Sequence, residues 1–168
     1  WRKPGVAISL LVDRSGSMGG QPLATNAVAA AAIASRNPED YSVIAFGKDV
    51  VVTKSQDVPK ASERVINDVL TLRGYGTTDL AGALFVGHQQ LSRSRAGRRI
   101  AVLLSDCLAT VDGDAETIAR TFDELVVIAP TDDHDEAKAF AERVGARLAL
   151  VGGPSEIPSV LAQALEAV

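Results

Sequence analysis

The sequence is poor in cysteine and in aromatic residues, and both shortages limit how the protein is built. Because Cys107 is the only cysteine, no disulfide can form within the chain, which favours a reducing compartment and therefore a cytoplasmic location. Aromatic residues make up 4% of the chain and hydrophobic residues 46%, so valine, leucine, isoleucine and alanine must fill most of the core. The chain begins at Trp1 and its only methionine is Met18, so we expect it to be part of a longer protein.

Long apolar runs and an excess of positive charge are also missing. No run of about 18 apolar residues occurs in the sequence, so no membrane span is predicted. The formal net charge is −4, which indicates neither a nucleic acid nor an anionic membrane surface as a partner. The 168 residues fit one domain, residues 1–168, and a chain of that length buries enough surface to fold without disulfides.

Strand patterns alternate with helix patterns along the chain. Residues 6–12 and 100–105 are almost continuously apolar, which is typical of parallel strands covered on both faces. Residues 41–46 and 50–53 predict a hairpin around Gly47-Lys48-Asp49, and its second strand ends at Lys54 like an edge strand. The remaining predicted elements are helices at residues 21–35, from Pro59 onward, and at 79–92, 115–122, 133–144 and 155–167, and strands at 125–129 and 147–151.

This order of elements predicts an α/β fold with a doubly wound, mostly parallel six-stranded sheet. The hairpin adds one antiparallel edge strand, and helices cover both faces of the sheet. In such sheets a ligand binds beyond the carboxyl ends of the strands, where the strand order reverses. Asp13 and Asp106 each follow directly on a predicted strand. If those two strands are neighbours, both carboxylates meet at the reversal point.

The turn after the first strand carries a carboxylate and two hydroxyls at alternate positions. Asp13, Ser15 and Ser17 stand on a turn that contains Gly16, which allows the backbone to curl so that the three side chains point inward together. All three groups are hard oxygen ligands, which Mg²⁺ or Mn²⁺ prefers over softer donors. No histidine or cysteine lies in this turn, which argues against zinc.

These residues resemble the metal-ion-dependent adhesion site of von Willebrand factor A (VWA) domains. Asp13-x-Ser15-x-Ser17 is similar to the first part of that site. The second part in the family is a threonine in a Gly-x-Thr turn before a helix, and Thr78 stands in such a turn. The third part is an aspartate after the next buried strand, which Asp106 matches. The order of elements is similar to the family over the whole chain, with a Rossmann-like fold.

The resemblance implies a ligand set and a function. Ser15 and Ser17 are expected to bind the metal directly, and Asp13, Thr78 and Asp106 directly or through water. The expected metal is Mg²⁺, with Mn²⁺ or Ca²⁺ as alternatives, and an aspartate or glutamate of a partner protein completes the site. The family implies a protein-binding module and not an enzyme. One departure is Cys107, which stands where glycine is usual.

Within the family, the chain is most similar to bacterial intracellular members. The Asp13–Met18 turn and the Gly-Thr-Thr-Asp-Leu turn resemble those of domains that accompany MoxR-type AAA+ ATPases and of the magnesium-chelatase D subunit. This implies an adaptor whose partner is such an ATPase or the substrate of the ATPase.

Two other functions remain open at this stage. A Mg²⁺-dependent phosphatase or phosphotransferase also places an aspartate after the first strand of a similar sheet. Haloacid-dehalogenase-type enzymes, however, need a second carboxylate two residues later, where this chain has Ser15. A domain that keeps the metal for structural purposes alone is the other alternative.

Three further features have two interpretations each, and one histidine has a single expected role. Asp79 either binds a metal-bound water or begins a helix as a favourable first-turn carboxylate. His88 is expected to be half-buried on the apolar face of its helix. His134 lies among acidic residues, which fits either a second metal cluster or an acidic helix start. The arginines at positions 93, 95, 98 and 99 offer a second partner surface or complement the end of a helix dipole.

Overall fold

The computed structural model of the protein describes residues 3–14, 22–72, 78–108, 114–132 and 134–166. Strands and helices alternate through these residues, as the sequence predicts. The strands are β1 (Lys3–Asp13), β2 (Tyr41–Phe46), β3 (Val50–Lys54), β4 (Ala96–Leu104), β5 (Glu124–Pro130) and β6 (Arg147–Val151). The helices are α1 (Pro22–Arg36), α2 (Ser62–Thr71), α3 (Leu80–Ser92), α4 (Ala115–Ala119), α5 (Asp135–Val144) and α6 (Ile157–Glu166), the last preceded by a 3₁₀ turn (Pro154–Glu156).

The six strands form one sheet in the order β3-β2-β1-β4-β5-β6. All neighbouring pairs are parallel except β2 and β3, which form the antiparallel hairpin at one edge. The chain first winds outward from β1 to β3 and then returns to place β4 on the other side of β1. The strand order therefore reverses between β1 and β4. The predicted doubly wound fold and its antiparallel edge strand are confirmed.

Both faces of the sheet are covered, which explains why the central strands are apolar at consecutive positions. On one face Leu10 packs in a core cluster with Ile33 of α1. On the other face Leu11 packs in a second cluster with Leu84 of α3 and Phe140 of α5. Because neighbouring residues of a strand point to opposite faces, a central strand between two helix layers needs apolar residues at both positions.

Two predicted helix starts are wrong, and each error has a local cause. The second helix begins at Ser62, and not at Pro59, because Ala61 keeps an extended backbone with ψ 133°. Its buried residues are Val65 and Val69. The last α-helix begins at Ile157 because residues 154–156 form a 3₁₀ turn.

Lys54, which ends the edge strand β3, is buried although it carries a charge. Its ammonium donates to the carbonyl oxygens of Tyr41 (3.0 Å) and Ser55 (2.5 Å) and lies 4.6 Å from the centre of the Tyr41 ring. Burial lowers the pKa of Lys54, and the carboxylates of Asp40 and Asp57 oppose that shift. The charge is thus satisfied by main-chain oxygens inside the fold.

Among the described residues, none of the helices has the length and the apolar composition that crossing a bilayer requires.

Candidate functional site

The reversal point of the sheet brings together the two aspartates that follow the central strands. Asp13 is the last residue of β1, and Asp106 lies two residues beyond the end of β4, its neighbour. Val12 pairs with Leu104 in the ladder between the two strands. Both aspartates are at most 1% exposed. The structure therefore confirms that the strands are neighbours and that both carboxylates lie buried at the same edge of the sheet.

Thr78 lies at the same carboxyl-terminal end of the strands, on the side of β2. The main-chain amide of Asp79 donates to the carbonyl oxygen of Gly47, which follows β2, at 2.7 Å. The main-chain amide of Arg14 donates to the carbonyl oxygen of Phe46, at 2.9 Å. These two bonds hold the turn before α3 against the ends of β1 and β2. Thr78 is buried there.

Asp79 itself is the N-cap of α3. Its Oδ1 accepts a hydrogen bond from the amide of Gly82 at 2.9 Å. Of the two interpretations for Asp79, the structure therefore supports the helix start.

The two remaining predicted site residues, Ser15 and Ser17, lie outside the described residues. Their neighbour Arg14 is described, and its guanidinium donates to the carbonyl oxygen of Asp49 in the hairpin at 3.2 Å. Arg14 therefore spans from the end of β1 to the β2–β3 turn.

Ser105 connects the two aspartate segments, a role that was not predicted from the sequence. Its hydroxyl donates to Oδ2 of Asp13 at 2.7 Å and accepts from the amide of Cys107 at 3.0 Å. The next amide in the turn, that of Leu108, donates to Oδ1 of Asp106 at 3.0 Å. The turn after β4 is thus fixed by hydrogen bonds to the site. A hydroxyl residue that ends an apolar strand was the signal in the sequence.

Asn26 supports Asp13 from the helix side and was also missed. It lies on α1 and is 1% exposed, and its Nδ2 donates to the main-chain carbonyl oxygen of Asp13 at 3.0 Å. Among the described residues, no donor lies within hydrogen-bond distance of its Oδ1. The sequence carried a weak signal, since Thr25 and Asn26 are adjacent polar residues in an otherwise alanine-rich helix.

Cys107 occupies a left-handed backbone conformation, with φ 62°. It is the only non-glycine residue among those described that has a positive φ. Glycine adopts this conformation at no steric cost, which explains why glycine is usual at this position in the family that the sequence resembles. The departure noted in the sequence is therefore a strained residue and leaves the turn in place.

The Cys107 thiol is inside the protein and points back to its own strand. The sulfur lies 4.0 Å from the carbonyl oxygen of Ser105. Burial raises the pKa of this thiol strongly, and the carboxylates of Asp106 and Asp13 raise it further. The group is a neutral thiol at physiological pH and not a ready nucleophile.

The arginines of the 93–99 region lie at the amino edge of the sheet, opposite the aspartates. The guanidinium group of Arg98 donates two hydrogen bonds to the carboxylate of Glu124, from Nε at 2.7 Å and from Nη2 at 2.9 Å. Arg93 contacts Asp57 at 3.3 Å. Arg99 donates to the carbonyl oxygen of Ser94. Most of the cluster therefore serves contacts within the fold.

In the described part of the chain, neither histidine belongs to a cluster of side chains that could bind a metal. His88 is exposed, which corrects the expectation of a half-buried side chain, and its ring meets Phe122 edge to face with the centroids 5.6 Å apart. His134 bonds the carbonyl oxygen of Thr131 at 2.9 Å, just before α5. Over residues 3–14, 22–72, 78–108, 114–132 and 134–166, no three His, Cys, Asp or Glu side chains group together to hold a metal.

Comparison with known proteins gives a family and a set of similar folds. The model of the family described as von Willebrand factor type A domain matches residues 8–109, which is more than half of the chain. That stretch includes Asp13, Thr78 and Asp106. Domains of this family are in general protein-interaction modules and not enzymes. A comparison with curated proteins gives no significant match.

Several solved structures are similar to the whole fold. Proximal thread matrix protein 1 from the mussel byssus has a TM-score of 0.74 at 15% identity over 98% of this chain and 48% of that one. A form of that protein described as having a zinc-occupied MIDAS motif gives 0.71 at 15% identity, with the same coverage. A von Willebrand factor type A protein from Catenulispora acidiphila gives 0.72 at 15% identity, over 93% of this chain and 40% of that one. The chain thus spans less than half the length of these structures.

Proposed function

Because this chain belongs to the von Willebrand factor type A domain family, we propose that it is a metal-dependent protein-binding module. A divalent cation, Mg²⁺ in the first instance, is held by Asp13, Ser15, Ser17, Thr78 and Asp106. An aspartate or glutamate of a partner protein completes the coordination. The observation that carries this proposal is the pair of buried carboxylates, Asp13 and Asp106, at the reversal point of the sheet, with Thr78 on the same edge.

The described donors fit a hard divalent cation. Asp13, Asp106 and Thr78 offer carboxylate and hydroxyl oxygens, which are hard ligands of the kind that Mg²⁺ prefers. Two carboxylates buried at one edge repel each other, and a dication between them offsets both charges. The related mussel protein with a zinc-occupied MIDAS motif supports a divalent site in this fold without favouring Mg²⁺ over Mn²⁺, Ca²⁺ or Zn²⁺.

The residues around the aspartates prepare the site before any partner arrives. Ser105 holds one carboxylate oxygen of Asp13, and Asn26 holds the main-chain carbonyl of the same residue. Such outer contacts orient ligating groups and keep them from rearranging. The bound metal supplies a Lewis-acidic position at which a carboxylate from outside can replace water. A site that is close to neutral with its metal then attracts one more carboxylate.

The partner protein and the cellular location are proposed from the family resemblance. The partner is a protein with an accessible aspartate or glutamate, and a MoxR-type AAA+ ATPase or its substrate is the first candidate. The domain, residues 1–168, acts in the cytoplasm of a bacterium as part of a longer protein. A haloacid-dehalogenase-type phosphatase is disfavoured because it needs a second carboxylate two residues after Asp13, where this chain has Ser15.

Calorimetric titration of the chain with Mg²⁺, Mn²⁺ and Ca²⁺ tests the metal site. We expect one ion per chain, and loss of binding in Asp106→Ala and Asp13→Ala. The matched control is Asp57→Ala, which removes an exposed carboxylate at the opposite edge, where it contacts Arg93. Circular dichroism melts check that each variant is folded. If the folded wild-type chain binds no divalent ion, even with an acidic peptide added, the proposal is wrong.

A further inference from the structure

A cleft of about 470 Å³ opens at the amino edge of the sheet, at the opposite end of the strands from Asp13 and Asp106. It lies where β1 and β4 begin, where the chain enters β2 and where it leaves β3, whose antiparallel direction brings its end to this edge. Its volume falls in the range of about 300–1,000 Å³ that is typical of ligand-binding pockets. Its described lining includes none of the proposed metal ligands, so the cleft is a separate candidate site.

Gln56 lines the cleft and has a buried acceptor that no donor satisfies. The residue is 3% exposed. Its Nε2 donates to Oδ1 of Asp40 at 2.8 Å and to the carbonyl oxygen of Ile8 at 3.4 Å. Because both of these contacts are acceptors, the amide orientation is fixed and Oε1 is the remaining atom. Among the described residues, no donor lies within hydrogen-bond distance of Oε1. A buried acceptor of this kind points to a ligand that donates hydrogen bonds.

The amide end of Gln56 is the part of the residue that faces the cleft. Its main-chain N–H donates to Oε1 of Gln90 at 2.7 Å, and Gln90 is not part of the described lining. Its side-chain amide instead contacts Asp40, which does line the cleft. The unused Oε1 therefore lies on the same side as the carboxylate of Asp40, next to it.

Asp40 supplies a charge and further acceptor sites. Its Oδ1 accepts from Gln56 and its Oδ2 accepts from the hydroxyl of Ser94 at 2.5 Å, so both donors are neutral. A carboxylate has about four acceptor sites, and these two bonds leave about half of them for a ligand. In the described part of the chain, no basic side chain lies within ion-pair distance of Asp40. The nearby ammonium of Lys54 donates to main-chain carbonyl oxygens instead.

The other charges of the described lining balance one another. Glu39 and Asp57 are exposed carboxylates, and Arg93 and Arg95 are exposed guanidinium groups. Arg93 contacts Asp57 at 3.3 Å. With Asp40 the lining has three carboxylates against two guanidinium groups, a net charge of −1. The charge without a counterpart is therefore that of Asp40, beside the unused oxygen of Gln56.

We propose that this cleft binds a cationic group that donates several hydrogen bonds, a guanidinium above a primary ammonium. A guanidinium is planar and carries five N–H donors in a fixed fork, so one group can donate to Asp40 and to Oε1 of Gln56 together. An anionic group would meet acceptors and a like charge at the same place. The cation belongs either to a small molecule or to a basic side chain of a protein, and the recognition chemistry is the same for both.

Titration of the chain with butylguanidinium and with butylurea, followed by ¹H–¹⁵N NMR, tests the site. The two compounds have nearly the same shape, and only the first is charged. We expect saturable shifts of the Gln56 and Ser94 amide signals with butylguanidinium, and binding of butylurea that is weaker by about tenfold or more. Equal affinity for the two compounds, or shifts confined to other parts of the chain, overturns the proposal. The titration is done in EDTA, so its failure leaves the proposed metal site untouched.

A blocked Gly-Arg-Gly tripeptide distinguishes the two sources of the cation. Binding of the tripeptide at the same signals, with an affinity similar to that of butylguanidinium, supports a basic side chain of a protein as the ligand. Binding of butylguanidinium without binding of the tripeptide supports a small molecule. Binding of neither compound shows that the acceptors of Gln56 and Asp40 serve no cation, and the proposal is then wrong.

Variants then locate the effect. Asp40→Asn keeps the size of the side chain and removes its charge, so butylguanidinium should bind about tenfold more weakly and lose its advantage over butylurea. The matched control is Glu39→Gln, which removes an exposed carboxylate from the adjacent position and should weaken binding by about twofold at most. Circular dichroism melts check that both variants fold, and the comparison of the two compounds on the wild-type chain decides the question without any variant. Equal losses in the two variants contradict the proposal.

Discussion

The left-handed backbone at Cys107 leads to a prediction in which glycine and alanine exchange their usual order of stability. At an ordinary helical position alanine is more stable than glycine by about 0.5–1 kcal/mol. At a left-handed position a Cβ atom costs roughly 1–2 kcal/mol, which glycine avoids. Cys107 has φ 62°, so Cys107→Gly should unfold with a free energy about 1 kcal/mol higher than that of Cys107→Ala. Both variants lose the buried thiol, so that loss cancels in the comparison.

The assay is urea unfolding of both variants at equal metal concentration, followed by circular dichroism. Thermal melts of the same two variants give a second measure: in a domain of this size, a difference of about 1 kcal/mol in the free energy of unfolding corresponds to a difference of about 2–4 °C in melting temperature. The control pair is the wild-type chain and Ala81→Gly within helix α3, where glycine should be the less stable residue. If Cys107→Ala is as stable as Cys107→Gly or more stable, position 107 stores no backbone strain and the explanation given for its departure from glycine is wrong.

Three further predictions concern hydrogen bonds of the fold. Ser105→Ala should weaken Mg²⁺ binding about 10-fold or more by calorimetry, because Asp13 loses the donor that orients it; unchanged affinity would show that Ser105 has no positioning role. Asn26→Ala should lower the free energy of unfolding by about 1–3 kcal/mol in metal-free urea titrations, since it leaves the buried carbonyl of Asp13 without this donor; a free energy equal to that of the wild-type chain would show that this hydrogen bond does not stabilise the fold. The bond from Arg98 lowers the pKa of Glu124, so the pair stabilises the fold above the unfolded-state pKa of about 4.3 and less as pH falls through the lower folded-state pKa. Glu124→Gln should therefore be destabilising at pH 7 and nearly neutral in strong acid, and a deficit that does not depend on pH would contradict this.

The sequence predicted the fold well because the central elements depend on local apolar patterns. The bounds of β6 agree with the prediction, and those of β2 do so as well. The two wrong helix starts have local causes, the extended backbone at Ala61 and the 3₁₀ turn at residues 154–156, whereas the burial of Lys54 depends on contacts between distant segments. Lys54 is buried because carbonyl oxygens and the Tyr41 ring surround its ammonium, and no local pattern encodes that arrangement.

The same reasoning explains which site residues could be found. Asp13 and Asp106 each follow a predicted strand, so the sequence alone predicts their location at one edge, whereas Thr78 was placed there by the resemblance to the VWA family. Asn26 and Ser105 act through hydrogen bonds to Asp13 that join residues 13 and 92 positions apart. The sequence shows such residues only as isolated polar positions in apolar elements, and the fold is needed to show what they contact.

The bond between Ser105 and Asp13 also has a consequence for biosynthesis. Since it spans 92 positions, a nascent chain that has emerged from the ribosome only as far as α3 carries two of the three metal-site segments and still has no binding site. The edge is complete only after β4 has inserted beside β1. On the proposed function, metal binding stabilises only chains whose central strands are already paired, and nascent chains stalled before and after β4 should differ sharply in their retention of the ion.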